Sequence, residues 1–205
     1  QAGARSGAEK LAGGTLIHSE TKDEQGLTAS AYESAVEDAG LPGKLAAAIF
    51  TDEAGRVAFL ANVLRMGNDR LAVSAVAELN NARDLAPAKA ALIAAFARAD
   101  TSAGNIASLL VRLGGKEVVD CLIEGAGEGL ARRRAAAIAA LASFPEPRVI
   151  DFLVSALMRD KHSYELEHAL MAIGQPAAPR LLEELKNEKS SAEAVSMLGA
   201  IKAKS

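Results

Sequence analysis

Helix-length segments that end on a bulky aliphatic residue recur along most of this chain. The endings are Ala75-Val76-Ala77-Glu78-Leu79-Asn80, Leu109-Leu110-Val111-Arg112-Leu113-Gly114, Ala137-Ile138-Ala139-Ala140-Leu141-Ala142, Ala169-Leu170-Met171-Ala172-Ile173-Gly174 and Met197-Leu198-Gly199-Ala200-Ile201-Lys202. Their anchors Leu79, Leu113, Leu141, Ile173 and Ile201 lie 34, 28, 32 and 28 residues apart. After each of the first four comes a short loop and a second apolar segment: Ala91-Leu92-Phe96, Val118-Val119-Leu122, Val149-Ile150-Leu153-Leu157 and Leu181-Leu182-Leu185. Apolar residues at i, i+3, i+4 and i+7 are the mark of an amphipathic helix. A quasi-period of about 30 residues built from two such helices predicts a stack of helix pairs, in which each pair buries against the next what it cannot bury alone.

Residue content agrees with that pattern. The 205 residues include 45 alanines and 25 leucines, a third of the chain, against seven aromatic residues and no tryptophan. Alanine and leucine favour helix, and strands would need the β-branched and aromatic residues that are scarce here. Alanine at inner positions also lets neighbouring backbones approach closely. The reading is therefore all-α, with more than roughly 60% of the chain helical and essentially no strand. Breaks fall at Asn80-Asn81, Asp100-Thr101, Gly114-Gly115, 125–129, 145–147, 161–163, 174–176 and 187–191. Connections this short place successive helices antiparallel.

Upstream of the clear repeats, which begin near residue 68, Thr28 caps a helix over 29–39 that stops at Gly40. Leu41-Pro42-Gly43 is a turn before a short helix over 44–50. Asp52 caps a helix over 53–66 that Gly67 closes, and Asn68 or Asp69 opens the next. Residues 1–27 differ: five glycines punctuate a polar stretch whose anchors are Leu11, Leu16 and Ile17, which predicts an irregular arm. The organisation expected is an arm over 1–27 followed by a helical domain over 28–205.

At this point the residues resemble a family. Ala172-Ile173-Gly174-Gln175-Pro176-Ala177-Ala178-Pro179-Arg180-Leu181-Leu182-Glu183-Glu184-Leu185 looks like the core of a short HEAT repeat, and 130–141, with Arg133, Ala136 and Leu141, is similar to that family's first helix. Pro147 and Pro176 sit where the family often starts its second helix, a position that tolerates the missing N–H. The resemblance covers roughly 68–205 and implies a right-handed α-solenoid of stacked antiparallel helix pairs. Tetratricopeptide repeats fit less well, because their small-residue and aromatic pattern and strict period are absent.

Few side chains suggest chemistry. His162, Glu165, Glu167 and His168 are the one metal-like group, but six residues on a helix turn His162 and His168 about 120° apart, and His18 is remote. HEAT-like enzymes that bind iron use repeated His-Glu dipeptides, whereas Glu167-His168 has the reverse order. Glu124-Gly125-Ala126-Gly127-Glu128-Gly129 lacks the preceding strand and following Lys-Ser/Thr of a phosphate loop and reads as a turn between repeats. The single Cys121 excludes an intrachain disulfide framework and lies in an apolar helical stretch, where a small buried thiol is expected. No catalytic, cofactor-binding or metal-binding residue is assigned, and no cofactor.

Arg132-Arg133-Arg134 is the densest positive run. One of the three matches the arginine that, in the resembled family, pairs with an acid of a neighbouring repeat. The other two are expected to face solvent on a helix surface with local ion pairs, with a patch for an anion or acidic partner as the functional alternative, and Met197 and Leu198 are candidate partner contacts on the last helix. That helix spans roughly 192–203 and, with the arm, is a candidate docking end. Leu141, Ile173, Leu181 and Leu185 are expected to be buried.

Net charge is −3, with 23 basic and 26 acidic side chains. That balance, with few aromatic residues for stacking, argues against nucleic-acid binding. No apolar run approaches a membrane span. A chain that begins at Gln1 fits a mature protein that has lost a targeting segment, imported or exported, or an excised domain. The function expected is a non-enzymatic protein–protein interaction scaffold, an accessory or assembly subunit of a larger complex. One branch of short HEAT-like proteins attaches or removes tetrapyrrole chromophores, so the resemblance alone implies a lyase-type enzyme as the alternative. A nucleic-acid-binding HEAT protein ranks last.

Overall fold

A computed structural model of the chain describes residues 51–66, 69–127, 130–160, 163–187 and 191–204. The expected arm over 1–27, the helices over 29–39 and 44–50, Gly67, Asn68 and His162 lie outside the described residues. Those described form ten α-helices and two short 3-10 turns, with no strand. In chain order the helices are α1 (Glu53–Arg65), α2 (Asp69–Leu79), α3 (Lys89–Arg98), α4 (Ala103–Leu113), α5 (Lys116–Gly127), α6 (Ala131–Leu141), α7 (Pro147–Arg159), α8 (Tyr164–Ile173), α9 (Ala178–Glu184) and α10 (Ser191–Lys204). The chain divides into two compact units, Gln1–Leu113 and Gly114–Ser205.

In the first unit, α1 packs on α2 and α3 on α4, while α1 also packs on α3 and α2 on α4. Asp52 caps α1 as expected, its Oδ1 accepting the Gly55 N–H at 2.6 Å. Glu53, the first residue of α1, accepts the N–H of Arg83 and, at 3.3 Å, that of Asp84, fixing the loop after α2 to the start of α1. Last-turn arginines close the helix ends. Arg98 of α3 donates to the carbonyl of Leu64 in α1 at 3.2 Å, and Arg112 of α4 donates to those of Asn80 and Ala82 just past α2, at 2.8 and 2.6 Å. The terminal carbonyls of a helix lack intrahelical donors, and here a helix two places later in the chain supplies them.

The second unit repeats the arrangement over six helices. The chain-neighbour pairs α5/α6, α7/α8 and α9/α10 pack, and so do α5 with α7, α7 with α9, α6 with α8 and α8 with α10. The pairing is one helix out of phase with the repeat read from the anchors: each helix that follows an anchor packs on the helix after it. Of the anchors, Leu79, Leu141, Ile173 and Ile201 are buried, and Leu113 is half-buried at the end of α4.

Proline and glycine set the helix boundaries. Pro147 is the first residue of α7. Pro87 and Pro176 sit in matching 3-10 turns, Ala86–Ala88 and Gln175–Ala177, that lead into α3 and α9, and Ala88 and Ala177 are fully buried. Gly174 ends α8 at φ 72°. Two expectations need correction. The glycine run does not break the helix at residue 125: α5 continues through Gly127, and Gly125 and Ala126 are buried. There α5 packs on α6, so small residues serve close contact rather than a turn. Leu185, expected in the core, is exposed, because α9 ends at Glu184 and Leu185 lies in the turn that closes it, with Lys186 N–H bonded to the Glu183 carbonyl. No described helix is long and apolar enough to cross a membrane.

Candidate functional site

The odd-numbered helices of the second unit share one sequence pattern. Lys116-Glu117-Val118-Val119-Asp120-Cys121-Leu122 opens α5 and Pro147-Arg148-Val149-Ile150-Asp151-Phe152-Leu153 opens α7. Pro179-Arg180-Leu181-Leu182-Glu183-Glu184-Leu185 runs along α9. Each stretch carries an acid at its fifth place, and the second and third carry arginine at their second. The structure joins these places in series. Arg148 donates to Asp120 Oδ1 at 2.5 Å and to the Lys116 carbonyl at 3.2 Å, and Arg180 donates to Asp151 Oδ1 at 3.0 Å. Each arginine also holds an acid of its own: Arg148 has Glu146 at 3.1 Å, and Arg180 has Glu184 at 2.7 Å. The bond to Glu184, with Asp151 beside it, raises the Arg180 pKa despite partial burial.

Arg132, Arg133 and Arg134 stand in the first turn and a half of α6. Arg132 is exposed and Arg133 half-buried, while Arg134 pairs with Asp160 just past α7 at 3.0 Å. Beside that pair lies an open cleft of about 390 Å³ lined by Ala131, Arg134, Ala135, Ile138, Asp160, Ser163 and Glu165. Ser163, buried at the start of α8, donates its hydroxyl to Glu165 at 3.2 Å. The cleft joins one cation to two carboxylates and one hydroxyl, with its arginine already neutralised by Asp160. On α8 the rings of Tyr164 and His168 meet at a tilt of 43°, with 4.2 Å between centroids. Among the described residues, no group of three or more His, Cys, Asp or Glu side chains could hold a metal ion.

Cys121 is half-buried rather than buried. Burial, reinforced by Glu124 and opposed by Arg133, pushes its thiol up to about 11, so it is almost wholly protonated at neutral pH and a poor nucleophile. Met197 belongs to the core of its unit and Leu198 is half-buried, whereas Val195 of α10 is a large apolar side chain that is exposed. What sequence reasoning missed is the neighbouring helix α9, where Leu182 and Leu185 are exposed in a row whose other members are buried. The three aligned openings carry the signal for it, once the acids and arginines are read together with the leucines. No protein-family model matches the chain, and neither a curated protein nor a solved structure matches it.

Proposed function

We propose that this chain is a HEAT-like, right-handed α-solenoid that works as a non-enzymatic protein–protein interaction scaffold, an accessory or assembly subunit of a larger complex. The observation that supports the reading is the repeated packing of helices two apart in the chain, tied by arginine contacts to residues 26–34 positions away. Stacked pairs of this kind offer long surfaces for partners, and each repeat depends mainly on its neighbours. In the second unit Arg134–Asp160, Arg148–Asp120 and Arg180–Asp151 cross-link neighbouring helices.

The test is affinity purification of the tagged full chain from its native source, followed by size-exclusion chromatography. The expected result is a protein partner that co-elutes in near-stoichiometric amount. A chain that elutes alone under all conditions, and that transfers or releases a tetrapyrrole when supplied with a chromophorylated protein, overturns the scaffold reading in favour of the lyase. Retention on heparin at physiological salt, set against weak retention on an anion exchanger, points instead to nucleic acid.

A further inference from the structure

The aligned openings of α5, α7 and α9 differ in one respect that concerns binding. At the fourth place stand Val119, Ile150 and Leu182, with relative exposures of 0%, 5% and 53%. At the seventh stand Leu122, Leu153 and Leu185, at 0%, 0% and 37%. The third place, Val118, Val149 and Leu181, is fully buried in all three. The arginine at the second place reaches back to the preceding helix of the row, and the fourth place lies about 160° around the helix from it. Val119 and Ile150 are thus on the side where the following helix packs, α7 on α5 and α9 on α7. Among the described residues no further helix of this row follows α9.

The charges match the apolar side chains. Asp120 receives Arg148 and Asp151 receives Arg180, each from the next helix. Glu183 holds the same place on α9, two-thirds exposed, and meets only Arg180 of its own helix, at 3.9 Å. So α9 presents the acceptor half of a contact that the row makes twice, beside two leucines that the same contact would cover.

We propose that this side of α9, formed by Leu182, Glu183 and Leu185, docks one more helix, supplied by a protein partner: an amphipathic helix with an arginine or lysine in its first turn and an apolar face that covers the two leucines. The site deepens the scaffold reading above and rests on it. Exposed Lys186 stands where α7 has buried Val154, so the contact is centred on the first two turns of α9 and is of moderate affinity.

The test uses the full chain and a fluorescent, helix-stapled peptide of sequence 146–160, which carries Arg148 in its first turn. Fluorescence anisotropy is expected to give saturable binding, weakened at least tenfold by E183R and by the double substitution L182K/L185K. Both variants change exposed side chains, and dichroism checks that they fold. A peptide with Arg148→Glu is expected to bind wild type at least tenfold more weakly and to recover on E183R. Absence of binding, or binding that neither variant weakens, overturns the site. Sedimentation of wild type resolves the other occupant: a dimer that L182K/L185K dissociates assigns the face to a second copy and overturns the proposal. The scaffold reading is scored separately. A partner that co-purifies with wild type and survives L182K/L185K leaves the scaffold standing and removes this site.

Discussion

Leu181 and Leu185 sit four residues apart, one on the short helix α9 and one in the turn that closes it, and they have different environments. Leu181 is fully buried between α9 and its neighbours, so Leu181→Ala removes packed methyl groups and is expected to cost about 2–5 kcal/mol. Leu185 is exposed in the closing turn, and Leu185→Ala is expected to stay within about 0.5 kcal/mol. Chemical denaturation of the two variants checks the contrast, and equal losses would put α9 in the wrong register. A second residue-scale outcome concerns Glu53. Its carboxylate accepts the N–H groups of Arg83 and Asp84, and these bonds lower its pKa, aided by the charges of Arg83 and Arg56. A carboxylate held below its unfolded value stabilises the fold above that value, about 4.3 for glutamate, and loses the contribution as pH falls through the folded value. Glu53→Gln should therefore lower the melting temperature at pH 7, with the difference from wild type closing as pH falls through the lowered folded value. A difference that is constant across that range would mean the charge has no part in holding the loop.

At the scale of elements, glycine separates helix from turn only through backbone geometry. Gly174 ends α8 at φ 72°, ψ −136°, a region that strains any residue with a Cβ, so Gly174→Ala is expected to cost about 1–3 kcal/mol. Gly199 lies inside α10 with nothing within 4 Å of an added Cβ, and Gly199→Ala should stabilise by about 0.5–1 kcal/mol. Thermal melts of both variants test the opposite signs. The same distinction explains what was legible in the sequence. Asp52, Pro147 and Gly174 act through local chemistry, a side-chain cap, a missing N–H and a positive φ, so each marked its boundary correctly. Gly125 and Gly127 look identical to turn glycines in sequence, but packing of α5 on α6 carries the helix through them, and packing is not local. Leu185 fits the apolar spacing of α9, and its exposure depends on where the helix stops and on which helix comes next. The arginine pairs were half legible: Arg134 belongs to the run singled out from sequence and does find an acid. Arg148 and Arg180 emerge only when the α5, α7 and α9 openings are aligned on one another.

At the scale of the whole molecule, the proposed stack makes a claim about how far a perturbation travels. In an arrangement where each pair of helices contacts only its neighbours, stability is a sum of local terms and nearest-neighbour terms, and damage fades with distance along the row. In a core shared by all helices, damage is felt throughout and the unit opens as one. Leu181→Ala is the suitable lesion, since α9 packs on α7 and α10 but lies at one end of the second unit's described row. Under conditions where the variant remains folded, native-state hydrogen exchange should show the largest loss of protection in α9 and α10. A smaller loss is expected in α7 and α8, which contact them, and the least in α5 and α6. Individual ion pairs do not change this order: Arg148–Asp120 and Arg180–Asp151 are partly exposed, and such pairs are worth about 0–1 kcal/mol each. They fix which helix follows which, while the buried third-place residues Val118, Val149 and Leu181 supply the cohesion. A uniform loss of protection from α5 to α10 would mean that the six helices share one cooperative core. The repeat read from Leu141, Ile173 and Ile201 would then describe sequence spacing without a matching division of stability.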